Sequence, residues 1–403
     1  MGRIEWLIIL FVSSIHLIAF SHRMEVVPFL PEFKSLYGVG YAEVGGLVSS
    51  FLLGYACFQI PAGTLADRYS PKWLIFTGVC AMLLAGILFV FTNSLWLALS
   101  LRFVMGASSA MLFSPGIKLI STYTPPEKRG LGIGILEGAA GMAMLLTMTF
   151  FPILSVQIQR DHLFLVLTLL LLPLIALFWK LPSYRSEHKN PSVGEKQKRL
   201  SFLQLFRHRR VLKLFGISFF GMFGLYAYLA WFPTYMEEVL GYSKQHSGWV
   251  MAVVMISQIV MAPVSGKITD LMGQRKTTLM MGSILLSCAA AWLYFLDDWG
   301  IYLVAVLIGT GISWSMAPML VLATEIVSVE LAGSVVSVMN TIGQTASAAS
   351  GYIYGKLFDM TGNFQIIWIV CFFFLTIRIL FCLGDLEEKE GMRNVSGAKQ
   401  MSS

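Results

Sequence analysis

Gly63-Thr-Leu-Ala-Asp67-Arg68-Tyr-Ser-Pro-Lys72 and Gly266-Lys-Ile-Thr-Asp270-Leu-Met-Gly273-Gln-Arg275-Lys276 are two versions of one stretch. Gly63 and Gly266, Asp67 and Asp270, and Lys72 and Arg275 each lie 203 residues apart. Trp96 and Trp299 repeat that offset, as do Gly130 in Pro125-Pro-Glu-Lys-Arg-Gly130 and Gly333 in Ser328-Val-Glu-Leu-Ala-Gly333. One shift that aligns five positions across separate polar stretches marks a duplicated unit, with both copies running in the same orientation.

What surrounds these stretches is apolar. The 403 residues are 56% hydrophobic and 13% charged, with mean hydropathy +0.72. A soluble chain carries about 25% charged residues, so much of this surface faces lipid. Runs of about 20 apolar residues are long enough to cross the hydrocarbon. Twelve are expected, near 4–30, 42–63, 73–91, 95–122, 131–154, 162–181, 211–235, 247–268, 277–296, 299–323, 332–357 and 364–384. The fold class that follows is an all-α membrane protein with twelve transmembrane helices in two six-helix halves related by a parallel repeat. Residues 1–181 form the first half and 211–384 the second, with a linker at 182–210 and a tail at 385–403.

Most of the 29 Lys and Arg fall in loops on the side of the N-terminus, while Lys34, Arg160, Lys244 and Lys356 are those of the opposite loops. That bias predicts a multi-pass protein of the cell membrane, the inner membrane in a two-membrane cell, with both termini cytoplasmic. It also accounts for most of the +7 net charge without a nucleic-acid partner. Neither Gly266-Lys267 nor Gly355-Lys356 has the upstream glycine of a phosphate loop, and no His-Glu-x-x-His or Cys-x-x-Cys occurs. An ATP-driven pump, a metalloenzyme and a cofactor are therefore not expected, and a monomer is.

The Gly-x-Leu-Ala-Asp-Arg-x-x-x-Lys stretch, its second copy and Arg102-Phe-Val-Met-Gly106 resemble the signatures of the major facilitator superfamily. The resemblance implies a major facilitator fold: a secondary transporter with a central cavity between the halves, working by rocking alternating access. The chemistry of the duplicated stretch fits a gate. Gly63 and Gly266 allow close helix approach, while Asp67, Arg68, Lys72, Asp270 and Arg275 supply ion pairs that hold one state and break in the other. Leu271 stands where the first copy has Arg68, so the latch is expected to be asymmetric.

Charges inside spans are costly and mark function. Arg23, Glu25, Arg102, Lys118, Glu137 and Arg378 are the cases. Lys118 and Arg378 lie near cytoplasmic ends and are expected to snorkel. At 1.5 Å per residue, Arg23 lies roughly 25 Å from the cytoplasmic start of its span, and Arg102 roughly 10 Å below the opposite surface. Both guanidiniums then share one level, and two such forks suit a carboxylate, phosphate or sulfonate.

Ser21-His22-Arg23, together with Asn340 and Gly351-Tyr-Ile-Tyr-Gly355 ahead of Thr361-Gly-Asn-Phe364, is also similar to patterns of the anion:cation symporter family. His22 stands where that family has an acid, and Ser109 where it often has a glutamate. Proton coupling is therefore expected elsewhere. Glu137 is the first candidate, since a carboxyl in an apolar span can take up and release a proton. The repeat offset maps it onto Asn340. His22 and Glu25, three residues apart, are the alternative pair. Gly134, Gly138 and Gly141 around Glu137 allow close packing and resemble the antiporter glycine motif, with Ala139 in place of its proline. From the second half, Tyr226, Tyr228, Trp231, Gln258, Trp314, Asn340 and Gln344 are candidates for lining the cavity.

The expected function is proton-coupled symport of a small organic anion. The alternatives are a proton-coupled efflux antiporter for drugs or metabolites, and a nutrient sensor built on the same fold.

Overall fold

A computed structural model describes residues 2–125, 128–181, 209–295, 300–326 and 329–383, apart from the side chains at 67, 317, 324 and 329–334. Of the expected linker at 182–210, residues 182–208 lie outside the described residues, as do the tail at 385–403 and Trp299, while Arg209 and Arg210 already belong to a helix. The described secondary structure is helical, with no strand. Its spans are α1 Arg3–Tyr37, α2 Tyr41–Arg68, α3 Pro71–Phe91, α4 Leu95–Tyr123, α5 Arg129–Leu154 and α6 Arg160–Phe178. The second half comprises α7 Arg209–Glu238, α8 Lys244–Met272, α9 Arg275–Phe295, α10 Ile301–Glu325, α11 Val329–Thr361 and α12 Gln365–Leu383. Eleven are long and apolar enough to cross a membrane. With α11, whose 33 residues span a bilayer easily, they make the expected twelve.

Prolines shape three spans. The first was expected to end at residue 30, yet α1 interrupts its regular helix after Met24, passes a tight turn at Val27–Phe29 and resumes over Leu30–Tyr37. Pro28 has no N–H to offer the Met24 carbonyl, so the ladder breaks there. Widened turns at Leu146–Phe150 in α5 and Ala227–Trp231 in α7 precede Pro152 and Pro233 for the same reason. The duplicated signature also differs from expectation, because it is mostly helix and not loop. Gly63 to Arg68 is the end of α2. Gly266 to Met272 is the end of α8, closed by Gly273 at φ 62°.

The duplication is visible in the packing. In the first half, Gly106 of α4 presses on the Phe51 carbonyl of α2; in the second, Gly309 of α10 presses on the Val254 carbonyl of α8. Both residues of each pair are 203 apart from their counterparts. No Cβ would fit at either glycine.

The halves meet at the end of the bundle away from the N-terminus, called distal below. There α2 crosses α11, with Gly45 against the Gly351 carbonyl and Gly355 against the Tyr41 carbonyl. The repeat-related crossing brings Gly248 of α8 against the Thr149 carbonyl of α5. Tyr41 packs its ring on Trp231, Phe358 and Phe364 at centroid distances of 5.8, 5.0 and 5.7 Å. Glu32 pairs with Lys244 of the other half and with Arg160 of its own. At the proximal end, by contrast, Gly63, Gly130, Gly134, Gly138, Gly141 and Gly266 have nothing among the described residues within 4 Å of where a Cβ would stand. The halves close distally and splay proximally.

Candidate substrate site at the junction of the halves

Arg23 sits in the last regular turn of α1 before the Pro28 break. Its Nε donates to the Tyr226 hydroxyl of α7 at 3.0 Å, and Nη2 donates to the same hydroxyl and to Gln344 Oε1 of α11. Arg23 and Tyr226 are 203 residues apart. They therefore occupy equivalent places in the repeat, and a direct contact between them puts the axis relating the halves between their side chains. Gln344 continues the chain through Nε2 to Asn340 Oδ1 at 3.4 Å. The rings of Phe20, Tyr55 and Tyr226 lie 5.1, 5.7 and 5.8 Å from the guanidinium carbon, a range in which aromatic faces stabilise a cation. Arg23 forms no ion pair among the described residues: its partners are a phenol, an amide and ring faces.

Tyr55 of α2 also lies within electrostatic reach of Glu137 of α5. Tyr55 is buried with Ala62 and Ala110. Glu137 is exposed and makes no hydrogen bond or ion pair among the described residues. The glycines at 134, 138 and 141 share its helix face, which is open along its length.

The second expected fork does not reach this space. Arg102 is fully buried. Its Nε donates to the Leu47 carbonyl at 3.1 Å and Nη2 to the Arg23 carbonyl at 3.1 Å. Nη1 donates to the His22 carbonyl and to Glu25 Oε1, the latter at 3.3 Å. The carbonyls of a helix end lack intrahelical donors, and Arg102 supplies them at the α1 break. It is a brace behind Arg23. His22 Nδ1 meets Glu25 Oε2 at 2.8 Å, both residues 1% exposed, so this pair is sealed behind Arg23 in this conformation.

Other expected positions divide. Trp231 is wholly buried against Gly45 and Tyr41 and belongs to the distal closure. Tyr228 donates to the Leu286 carbonyl at 2.5 Å and stacks on Trp368 inside the second half. Gln258 of α8 and Trp314 of α10 are half-buried and are not partners of the Arg23 cluster.

Of the residues expected to gate, Lys72 differs from expectation. It donates to the Leu181 carbonyl at 2.7 Å and lies over the Phe178 ring, so its α3 position ties it to α6 and not to a carboxylate across the seam. Arg68 is exposed, and the Asp67 side chain lies outside the described set. In the second copy Arg275 pairs with Asp270 at 2.7 Å and Glu325 at 3.5 Å. Arg378 does not snorkel. It is 1% exposed, pressed on Gly221 of α7, because α12 turns that face toward the bundle.

A family model described as "Major Facilitator Superfamily" matches residues 9–352. The chain is 22% identical over 382 residues to a probable sulfoacetate transporter of Cupriavidus necator, covering 88% of this chain and 87% of the relative. It is 23% identical over 411 residues to a probable galactarate/D-glucarate transporter of Escherichia coli, covering 89% of each. Among solved structures, the inward-facing, unoccupied form of a bacterial homologue of the human lysosomal transporter Spinster superimposes with a TM-score of 0.77. It shares 16% identity and covers 95% of this chain and 97% of that one.

Proposed function

The chain belongs to the Major Facilitator Superfamily, and from that premise we propose that it carries a small organic anion across the cell membrane by alternating access, coupled to protons. It is a multi-pass transport protein and not an enzyme. One observation carries the anion reading. Arg23 is a guanidinium on the axis between the halves, and its partners are neutral: the Tyr226 hydroxyl and Gln344 amide of the second half and the Phe20 and Tyr55 rings of the first. A buried cation without a counter-ion favours an incoming carboxylate or sulfonate. A bidentate anion would take the donors now given to Tyr226 and Gln344. The names of the relatives, sulfoacetate and sugar-diacid transporters, agree with that chemistry.

In this reading both termini are cytoplasmic, so the proximal opening faces the cytoplasm. Asp67, Arg68, Asp270 and Arg275, with Gly63 and Gly266, close it in the opposite state. Glu137 carries the proton, since it is exposed while His22 and Glu25 are buried. The exposed Glu137 is also the observation that favours the second reading, efflux of a cation in exchange for protons. A thermal-shift screen of purified protein against sugar acids, sulfonates, phosphates and cationic drugs separates the two. Anions alone should raise the melting temperature, and Arg23→Ala should abolish the rise. Stabilisation by cations alone would sink the anion reading.

A further inference from the structure

The distal closure contains a contact whose chemistry differs between the two halves. A helix begins with N–H groups that lack intrahelical acceptors, and a side chain just before it usually supplies one. The residue before α2 is Gly40, which has no side chain to give. The acceptor comes instead from the other half. Asp359 near the end of α11 accepts from the Tyr41 N–H at 2.9 Å through Oδ1 and from the Ala42 N–H at 2.7 Å through Oδ2. Gly40 is what lets it approach, since a Cβ there would stand 2.6 Å from Asp359 Oδ2 and 2.9 Å from its Cγ.

The repeat-related site is built otherwise. Gly40 maps to Ser243, and Ser243 caps its own helix α8, its Oγ accepting from the His246 N–H at 3.2 Å. Asp359 maps back to Val156, whose side chain has no polar atom to offer. One half therefore caps its distal helix itself, and the other borrows the cap across the gate.

We propose that Asp359 is the lock of the distal gate, a carboxylate of the second half that holds the first half shut by capping α2. The proposal rests on the alternating-access reading and on no particular substrate. A self-cap such as Ser243 is present in both states, so it does not bias the equilibrium between them. A cap supplied in trans exists only while the gate is closed, and a contact made in one state alone shifts the population toward that state. The negative charge at a helix N-terminus adds to the effect. Glu43, which accepts from the Gly40 N–H at 3.1 Å, stays with α2 in either state and cannot replace Asp359 as the lock.

The test separates a lock from a plain stabiliser of α2. Spin labels at Ser35→Cys and Lys356→Cys, both exposed and on opposite halves, report the distal distance in protein whose five native cysteines are replaced. In Asp359→Ala the long-distance population should rise about tenfold, the size of effect expected for losing a charged cap, and the melting temperature should fall. Gly40→Ser in the same background gives α2 a cap of its own. The double variant should recover the melting temperature while its distal gate stays open more often. A parental distance distribution in Asp359→Ala, or its return to the closed form in the double variant, would overturn the proposal. No substrate enters the measurement, so an error about the transported anion leaves it valid.

Discussion

Arg23 and Arg102 are one residue type at one membrane level, and their surroundings separate them. Arg23→Lys keeps the charge but cannot bridge Tyr226 and Gln344 together, so anion binding should weaken more than tenfold with little change in melting temperature. Arg102→Lys removes donors from the α1 break, so binding and melting temperature should fall together. Titration calorimetry beside thermal melts of both variants checks the split; equal stability losses would make Arg23 structural as well. Glu137→Gln should leave binding and exchange intact while abolishing accumulation under an imposed pH gradient. Accumulation that persists in a vesicle assay would remove Glu137 as carrier. At this scale the sequence made the charged residues conspicuous, because each stands in an apolar run. It could not tell a guanidinium held by a phenol and an amide between the halves from one that caps a helix, since Leu47 and the α1 carbonyls enter only through tertiary packing. Tyr55, whose ring lies 5.7 Å from the Arg23 guanidinium, went unnoticed for a related reason. An aromatic residue in a span looks the same whether it packs on other apolar groups or on a cation.

Helices were legible to within a turn or two where their ends are polar, and less so where they continue through charge. The signature at Asp67 and Arg68 reads as a loop by composition. The helix persists because nothing before Tyr69-Ser70-Pro71 breaks it, and Gly63 alone costs only about 1 kcal/mol relative to alanine. The prolines at 28, 152 and 233 were visible, but their consequence was not, because a break in a membrane helix survives only where other groups meet the freed carbonyls. Arg102 does so for α1. Glycines of the α2–α4 crossing give a direct test. Gly106→Ala drives a methyl into the Phe51 carbonyl and should destabilise the first half by about 1–3 kcal/mol. Gly130→Ala, with open space around it, should not destabilise. Melting curves of the two variants decide, and a stable Gly106→Ala would mean that α4 can move away from α2 at no cost.

Duplication of the chain was legible from five spaced residues, yet the conformation was not, since under alternating access one sequence fits two arrangements of its halves. The glycines differ between the two ends of the bundle as that reading requires. Gly45, Gly248, Gly351 and Gly355 are in tight contact at the distal end, while Gly63, Gly134, Gly138 and Gly266 stand idle at the proximal end. A helical glycine lowers helix stability by roughly 0.8–1 kcal/mol against alanine, and the idle ones gain no contact for it in this state. They gain one if the proximal ends close as the distal ends do now, with the α5 face bearing Gly134, Gly138 and Gly141 against the second half. Substitutions at the two ends should then act in opposite senses. Gly45→Leu cannot coexist with the Gly351 carbonyl, so it should open the distal end and draw the proximal end shut. Gly138→Leu fits the open space here but would block proximal closure, so it should hold the present arrangement. Transport should fall in both, with the melting temperature falling only in Gly45→Leu. Spin-label distances across each end read the result: proximal distances should shorten in Gly45→Leu and stay long in Gly138→Leu. If Gly138→Leu transports normally, the open face of α5 is not a contact of the second state, and the proximal gate closes elsewhere.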